Sequence, residues 1–307
     1  MTADPPELQS DEWSDWLLHH RDGGDPDHEQ AIRADLVRCA DRVLDRAELA
    51  PGMTLLDIGA GDGQIAFRAI DRVGPSLRVV LTDISRPLLR HAEALATQRQ
   101  VRGQCGFHHC AAERLAGIAD ASVDAVTTRA VLAYVADKGA AMREFRRVLK
   151  PGGRVSLAEP VFRDEAIAVS ALKIQIDTRP PEQREPLLAL VHRWKAAQFP
   201  DTVEKIAKSP ITNYSERDLV RFAEESGFID IHMEFHIDIT PHIARSWEVF
   251  IASSPHPWAP PLSVIFAEQF TPEERQLFEQ TFRPLIGGRN TTAVSRIAYL
   301  TARKQGE

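Results

Sequence analysis

No run in this 307-residue sequence approaches the ~20 consecutive apolar residues that a membrane-spanning helix needs. Cysteine is scarce. Cys39, Cys105 and Cys110 are an odd number with no paired spacing, which excludes a disulfide framework and suits a reducing, cytoplasmic setting. The first eleven residues are acidic and proline-bearing, without the basic and apolar regions of a secretory signal. Positive charge is also short. There are 37 Lys and Arg against 44 Asp and Glu, a net charge of −7, and like-charge repulsion makes nucleic acid a poor partner. What is present is apolar: 43% hydrophobic residues support a full core, in one large domain or one domain with insertions.

The most informative stretch is Thr54-Leu55-Leu56-Asp57-Ile58-Gly59-Ala60-Gly61-Asp62-Gly63. Apolar residues and an acid run into alternate glycines, and a helical pattern follows at Ile65, Phe67, Ala69 and Ile70. That order predicts a buried strand, a tight turn and a helix start. Glycine there permits positive φ and removes the Cβ that would hold a ligand off the backbone. Free N–H groups at the helix start favour a carboxylate or phosphate. A nucleotide-like cofactor is expected on this loop.

A dinucleotide fingerprint reads G-x-G-x-x-G with an acid roughly 20 residues on. Here the spacing is G-x-G-x-G and Asp57 precedes the first glycine, which opposes a nicotinamide dehydrogenase. A second acid, Asp83, ends the next apolar run and suits a carboxylate accepting from both ribose hydroxyls. Leu149-Lys-Pro-Gly-Gly-Arg-Val155 reads as a helix end, a glycine turn and another strand. Taken in this order, Asp57-x-Gly-x-Gly, Asp83 and Lys150-Pro-Gly-Gly resemble the class I S-adenosylmethionine-dependent methyltransferases. The resemblance covers residues from about 29 to 165 well and the rest loosely. It implies S-adenosylmethionine as cofactor, contacted by Asp57, Gly59, Ala60, Gly61, Gly63, Asp83, Ile84, Ala112, Glu113 and Arg129. In the family the loop after the third strand carries Asp-Ala-Glu. This chain has Ala111 in place of the acid, so adenine recognition falls to Glu113, backbone groups or apolar packing.

The expected fold is α/β. It is a doubly wound, seven-stranded Rossmann-like sheet with a helical cap over residues 1–48 and a cofactor-binding core over 49–162. A helical lid at 163–214 and a second insertion at 241–294, within the closing part of the core at 215–307, are expected to border the ligand crevice. Trp13, Trp16 and Leu17 share one face of a short helix, and a cap folded over the cofactor places Trp16, His19, His20 and Arg21 near the active site. The alternative is an outer aromatic anchor beside a solvated histidine pair. Trp194, His192 and Phe199 stand in the lid, where they either line an acceptor pocket or serve as core and surface residues. On the last strands Ile231, Met233, Phe235 and Ile237 face the core, while His232, Glu234, His236 and Asp238 make a solvated face.

Methyl transfer is an in-line displacement that needs collinear nucleophile, methyl and sulfur in a dry site. A general base is required only for an acceptor of high pKa. His19, His20, His192, Tyr134 and Glu159 are the candidates by location alone. The clustered Cys105, His108, His109 and Cys110 lack zinc-ligand spacing, and the strand ends lack the aspartates of metal-dependent catechol methyltransferases, so no metal is expected. Residues 127–130 lack the Asn/Asp-Pro-Pro-aromatic motif of enzymes that methylate adenine amino groups. The resemblance is to the ubiquinone and menaquinone C-methyltransferases and natural-product tailoring enzymes. It implies O- or C-methylation of a small, partly apolar acceptor, with a homodimer possible. A cofactor-bound auxiliary protein or cyclase of the same fold is the alternative.

Overall fold

The computed structural model describes residues 10–241, 246–287 and 292–306. Most of the acidic leader and two short stretches of the second insertion lie outside them. The strands are β1 (Thr54–Ile58), β2 (Arg78–Asp83), β3 (Cys105–His109), β4 (Val123–Arg129), β5 (Leu149–Pro160), β6 (Phe228–Pro241) and β7 (Thr292–Lys304). They form one sheet in the order β3-β2-β1-β4-β5-β7-β6. Strand β7 runs antiparallel to both its neighbours, and the pairs from β3 through β5 are parallel. This is the seven-stranded α/β sheet expected.

The apolar runs of the central strands follow from burial on both faces. Leu55 and Leu56 point to opposite sides of β1 and neither is exposed. One face is covered by α2 (Pro26–Ala47), α3 (Gln64–Val73) and α4 (Arg86–Gln98), which bring Val43, Leu44, Ile65, Ile70 and Leu89 to the core. The other is covered by α5 (Lys138–Val148) and, after the three helices below, α9 (Glu216–Glu225), which bring Phe145, Val148 and Leu219.

The first insertion holds α6 (Arg163–Asp177), α7 (Pro186–Gln198) and α8 (Val203–Lys208). The second, between β6 and β7, holds α10 (Trp247–Ala252), α11 (Leu262–Gln269) and α12 (Pro272–Phe282). The two pack on each other. Leu190 of α7 shares a core with Trp247, Leu262, Ile265, Phe266 and Phe278, and the Trp194 ring meets Phe250, Phe278 and Phe282. Arg193 grips both carboxylate oxygens of Glu274 at 2.6 and 3.0 Å. The Gln198 amide donates to the Pro260 carbonyl at 3.1 Å, and buried His256 Nε2 meets the Gln198 carbonyl at 2.9 Å. Burial pushes the His256 imidazole down to about 4, so it stays neutral there.

Strand β6 corrects one expectation. Ile231, Met233 and Phe235 pack on the core, but Ile237 is 54% exposed. The β5 ladder with β7 stops at Ile297, whereas Ile237 pairs with Arg296 one step beyond it, in a two-stranded overhang. The opposite face of β6 is not wholly solvated either: Arg46 of α2 donates to Glu234 at 2.6 Å, and Arg42 reaches the His236 ring.

Candidate active site

The turn after β1 is shaped by its glycines. Gly59 and Gly61 have φ of +61° and +55°, in the left-handed region where other residues are strained. A Cβ on Gly59 would lie 2.2 Å from Val131 Cγ2, so only glycine lets the loop after β4 come this close. Gly63 caps α3 and faces the Phe67 ring. Asp57 lies opposite Thr127 in the β1–β4 ladder and accepts a 2.9 Å bond from its hydroxyl. Burial pushes the Asp57 carboxyl up to about 7, against that hydrogen bond. Neither Asp57 nor Gly63 lines the cavity above the turn; they build the turn that does.

Gly59, Ala60 and Gly61 floor that cavity, and the ends of β2 and β3 wall it with Asp83, Ile84, Ala112 and Glu113. Asp83 has a double attachment. One carboxylate oxygen accepts from the Gly61 N–H and the other from the Ser85 N–H, each at 2.8 Å. It therefore ties the glycine turn to β2, and burial holds its carboxyl above the ordinary range. Next to it the Ile84 side chain is 56% exposed, an apolar face turned to the cavity.

The roof comes from the N-terminus. Helix α1 (Glu12–Asp15) runs into a π-helical turn, Trp16–His20, and Trp13, Trp16, Leu17 and Arg21 all line the cavity. Leu17 Cδ1 would stand 3.1 Å from a Cβ on Gly61. The roof is pinned at both ends. The Ser85 hydroxyl donates to Asp11 at 2.9 Å, the Trp16 indole donates to the Ser254 carbonyl at 3.2 Å, and the Ser254 N–H donates to the His20 carbonyl at 3.1 Å. Trp13, Tyr134 and Trp258 meet with ring centroids 5.1–5.9 Å apart.

Of the five candidate catalytic side chains, only Tyr134 lines the cavity. Burial raises the pKa of its phenol, which keeps it protonated and suited to donating rather than accepting a proton. Glu159 is fully buried at the end of β5. Its carboxylate accepts from the Val131 and Ala133 N–H groups at 3.0–3.1 Å, so it holds the loop after β4 instead of facing the cavity. His19 and His20 are exposed, because the π-helical turn directs Trp16 and Leu17 inward. His192 of α7 is half-buried beside Asp201 at 3.4 Å, in a crevice with Ile176 of α6 and away from this cavity. Trp194 is spent in the core between the insertions, and Phe199 packs on Phe162 and His256. The first insertion supplies no cavity wall. Ala166, Val169, Phe199, Ile206 and Ile211 instead support Tyr134 from behind. Among the described residues the second reaches the cavity at Pro257 alone.

Sequence reasoning missed Leu36, Leu88, Ala130, Val131, Val135 and Pro257, which belong to the apolar lining. Leu36 falls on the stripe that predicted α2, but the stripe could not say that its first turns meet a ligand cavity while its last turns meet the sheet. Among the described residues no group of His, Cys, Asp and Glu could hold a metal ion, and no helix is long and apolar enough to cross a membrane.

Residues 49–210 match the family model described as a methyltransferase domain. The chain belongs to that family, with the class I S-adenosylmethionine-dependent architecture. It is 34% identical over 152 residues to nocamycin O-methyltransferase of Saccharothrix syringae, covering 47% of this chain and 52% of that protein. It is 36% identical over 129 residues to the tRNA 5-carboxymethoxyuridine methyltransferase of Escherichia coli K12, covering 42% and 48%. The chain thus spans about half the length of the curated relatives it matches. Among solved structures, the YcgJ protein of Bacillus subtilis superposes with a TM-score of 0.55 at 18% identity, over 88% of this chain and 99% of that one, which is a likeness of fold.

Proposed function

We propose that this family member transfers a methyl group from S-adenosylmethionine to a small, partly apolar acceptor in the cavity roofed by the N-terminal cap. The observation that carries the reading is the composition of one cavity. A glycine cradle, the Asp83 carboxylate and the exposed Ile84 face share it with Trp13, Tyr134, Val131 and Pro257. The first set suits an adenosyl cofactor. Gly59 to Gly61 leave room for its amino-acid chain, Asp83 keeps lone pairs for ribose hydroxyls, and Ile84 and Ala112 offer apolar faces to adenine, with Glu113 beside them. Arg129 lines the same cavity. Bound there, the cofactor supplies a methyl group already activated by its sulfonium.

The chain's own part is to position and to exclude water. Trp13, Trp16 and Leu17 close the cavity over the turn, and Tyr134 offers a phenolic donor to the acceptor. Among the described residues no histidine lines the cavity, which favours an acceptor that is already anionic or readily ionised. O-methylation accords with that chemistry and with the activity in the name of the Saccharothrix relative. The Escherichia relative's name favours tRNA as a competing acceptor, but the net charge of −7 opposes a phosphate backbone. A cytoplasmic location follows from the same reading.

Titration calorimetry with S-adenosylmethionine, S-adenosylhomocysteine and NAD tests the cofactor. Binding of the two sulfur compounds without NAD is expected; silence from both, with a folded protein, removes the reading. A radiolabelled methyl assay on small organic acids, phenols and bulk tRNA then tests the acceptor, and label in tRNA alone would replace the small molecule.

A further inference from the structure

Past the end of the ladder with β5, strands β6 and β7 run on as a two-stranded ribbon, residues 237–241 against 292–296. Two strands alone are marginal in water. One face of this ribbon is apolar: Ile237, Ile239 and Val294, which lies opposite Ile239, are 54%, 67% and 41% exposed. They continue the row of Ile231, Met233 and Phe235 beyond the helices that cover it. Strand β6 is also an edge of the sheet, with β7 as its one neighbour among the described residues. A bulge between Ile229 and His232 and a proline at 241 interrupt the two ends of that edge, as edges guarded against pairing commonly are. Between them residues 233–240 form a regular ladder without lysine, proline or bulge. The other face carries two unmatched charges. Arg42 of α2 stands 2.7 Å from the His236 ring and has no carboxylate within 4.0 Å among the described residues, and exposed Asp238 has no cation within that distance. The neighbouring Glu234 is already engaged by Arg46, His232 and His236.

We infer that the β6 edge binds the β6 edge of a second copy of this chain, antiparallel about a two-fold axis at Ile237. The strand's own pattern selects that occupant. In an antiparallel pair, residues directly opposite one another share a face. With the axis at Ile237, Ile237 meets its own copy, Phe235 meets Ile239, and His236 with the adjoining Arg42 meets Asp238. Apolar residues face apolar ones, and the unmatched cation gains the unmatched anion, twice over by symmetry. Moving the axis to His236 sets Glu234 opposite Asp238, and moving it to Asp238 sets that carboxylate against its own copy. Both shifts oppose like charges, so the edge is self-complementary in one register. Four strands in place of two also give the overhang a width at which an apolar-faced sheet is stable. An interface this short belongs with weak associations, so the dimer is expected to depend on concentration. The inference concerns assembly and stands whether or not the methyltransferase reading holds.

Sedimentation velocity over a concentration series tests the association, and variants at exposed positions test the face and the register. Asp238→Arg should raise the dimer dissociation constant by about ten-fold or more, and combining it with Arg42→Glu should restore association by exchanging the opposed charges. Ile237→Cys should form an intersubunit disulfide with oxidised glutathione, because opposite Cα atoms of an antiparallel pair stand about 4.5–5.5 Å apart, within disulfide reach. Ile239→Cys, which this register sets opposite Phe235 instead of its own copy, should not. The wild type, with its own Cys39, Cys105 and Cys110, gives the background. Thermal melting checks that each variant is folded. A wild type that stays monomeric at its highest soluble concentration overturns the inference. In a dimeric wild type the cross-link decides wherever the charge variants fail to fold or disagree with it. Linkage through Ile237→Cys in preference to Ile239→Cys upholds the register, and the reverse order, or no linkage above background, overturns it and moves the contact to another face.

Discussion

Gly59 is the residue on which the site's shape depends most directly. A methyl group there would enter the Val131 side chain and would also strain a left-handed φ. Gly59→Ala should lower affinity for S-adenosylhomocysteine by more than about ten-fold while far-ultraviolet dichroism stays native, because the strain is local to one turn. Asp83 calls for a different expectation from the one its motif suggests. As a ribose ligand alone, its loss would leave the fold untouched. With both oxygens held by backbone N–H groups, Asp83→Ala should weaken cofactor binding and also destabilise the protein, by about 1–3 kcal/mol, since two donors lose their acceptor. Calorimetry and chemical denaturation of one sample read the two effects; an unchanged denaturation midpoint would show that the tie is dispensable.

At the scale of elements, the sheet and its glycine turn were legible because their signals are local. Buried strands read as apolar runs, and the turn announces itself through alternate glycines. The insertions were legible only as helices. That α7 docks on α11 and α12 rather than over the cavity depends on Trp194 finding Phe278 and Phe282, partners more than 80 residues away. No periodicity in the chain records such a pairing. The same holds for His192 and Glu159. Each has a suitable residue type, and only the packed structure shows one set beside Asp201 away from the cavity and the other engaged by backbone N–H groups. The arrangement separates lid stability from cofactor binding. Phe278 is fully buried among aromatic rings, so Phe278→Ala should cost about 3–5 kcal/mol of stability. Affinity for S-adenosylhomocysteine at low temperature should change less than about three-fold, because no residue of α7, α11 or α12 touches the cavity. A large loss of affinity in a folded variant would mean that these helices hold the roof in place.

For the molecule as a whole, two buried acids set a pH dependence. The Asp57 and Glu159 carboxyls are each pushed up to about 7 by burial, above their ordinary values near 4. The folded protein therefore holds protons that the unfolded chain has released. The resulting stabilisation is present below about pH 4 and is lost as the pH rises through about 7. Asn at position 57 cannot titrate. The stability of the wild type relative to Asp57→Asn should thus fall between about pH 4 and pH 8, by something on the order of a few kcal/mol, in thermal melts at matched ionic strength. A constant difference across that range would show that the carboxyl ionises normally.

The shared core of the two insertions has a further consequence during synthesis. Helix α7 leaves the ribosome with Trp194 and Leu190 unsheltered, and their partners in α12 begin only at Pro272. Strand β7, which lies between β5 and β6, is made later still. At roughly 5–20 residues per second, an apolar helix waits several seconds for its cover. The nascent chain is exposed to chaperones and to self-association over that interval, however stable the finished fold.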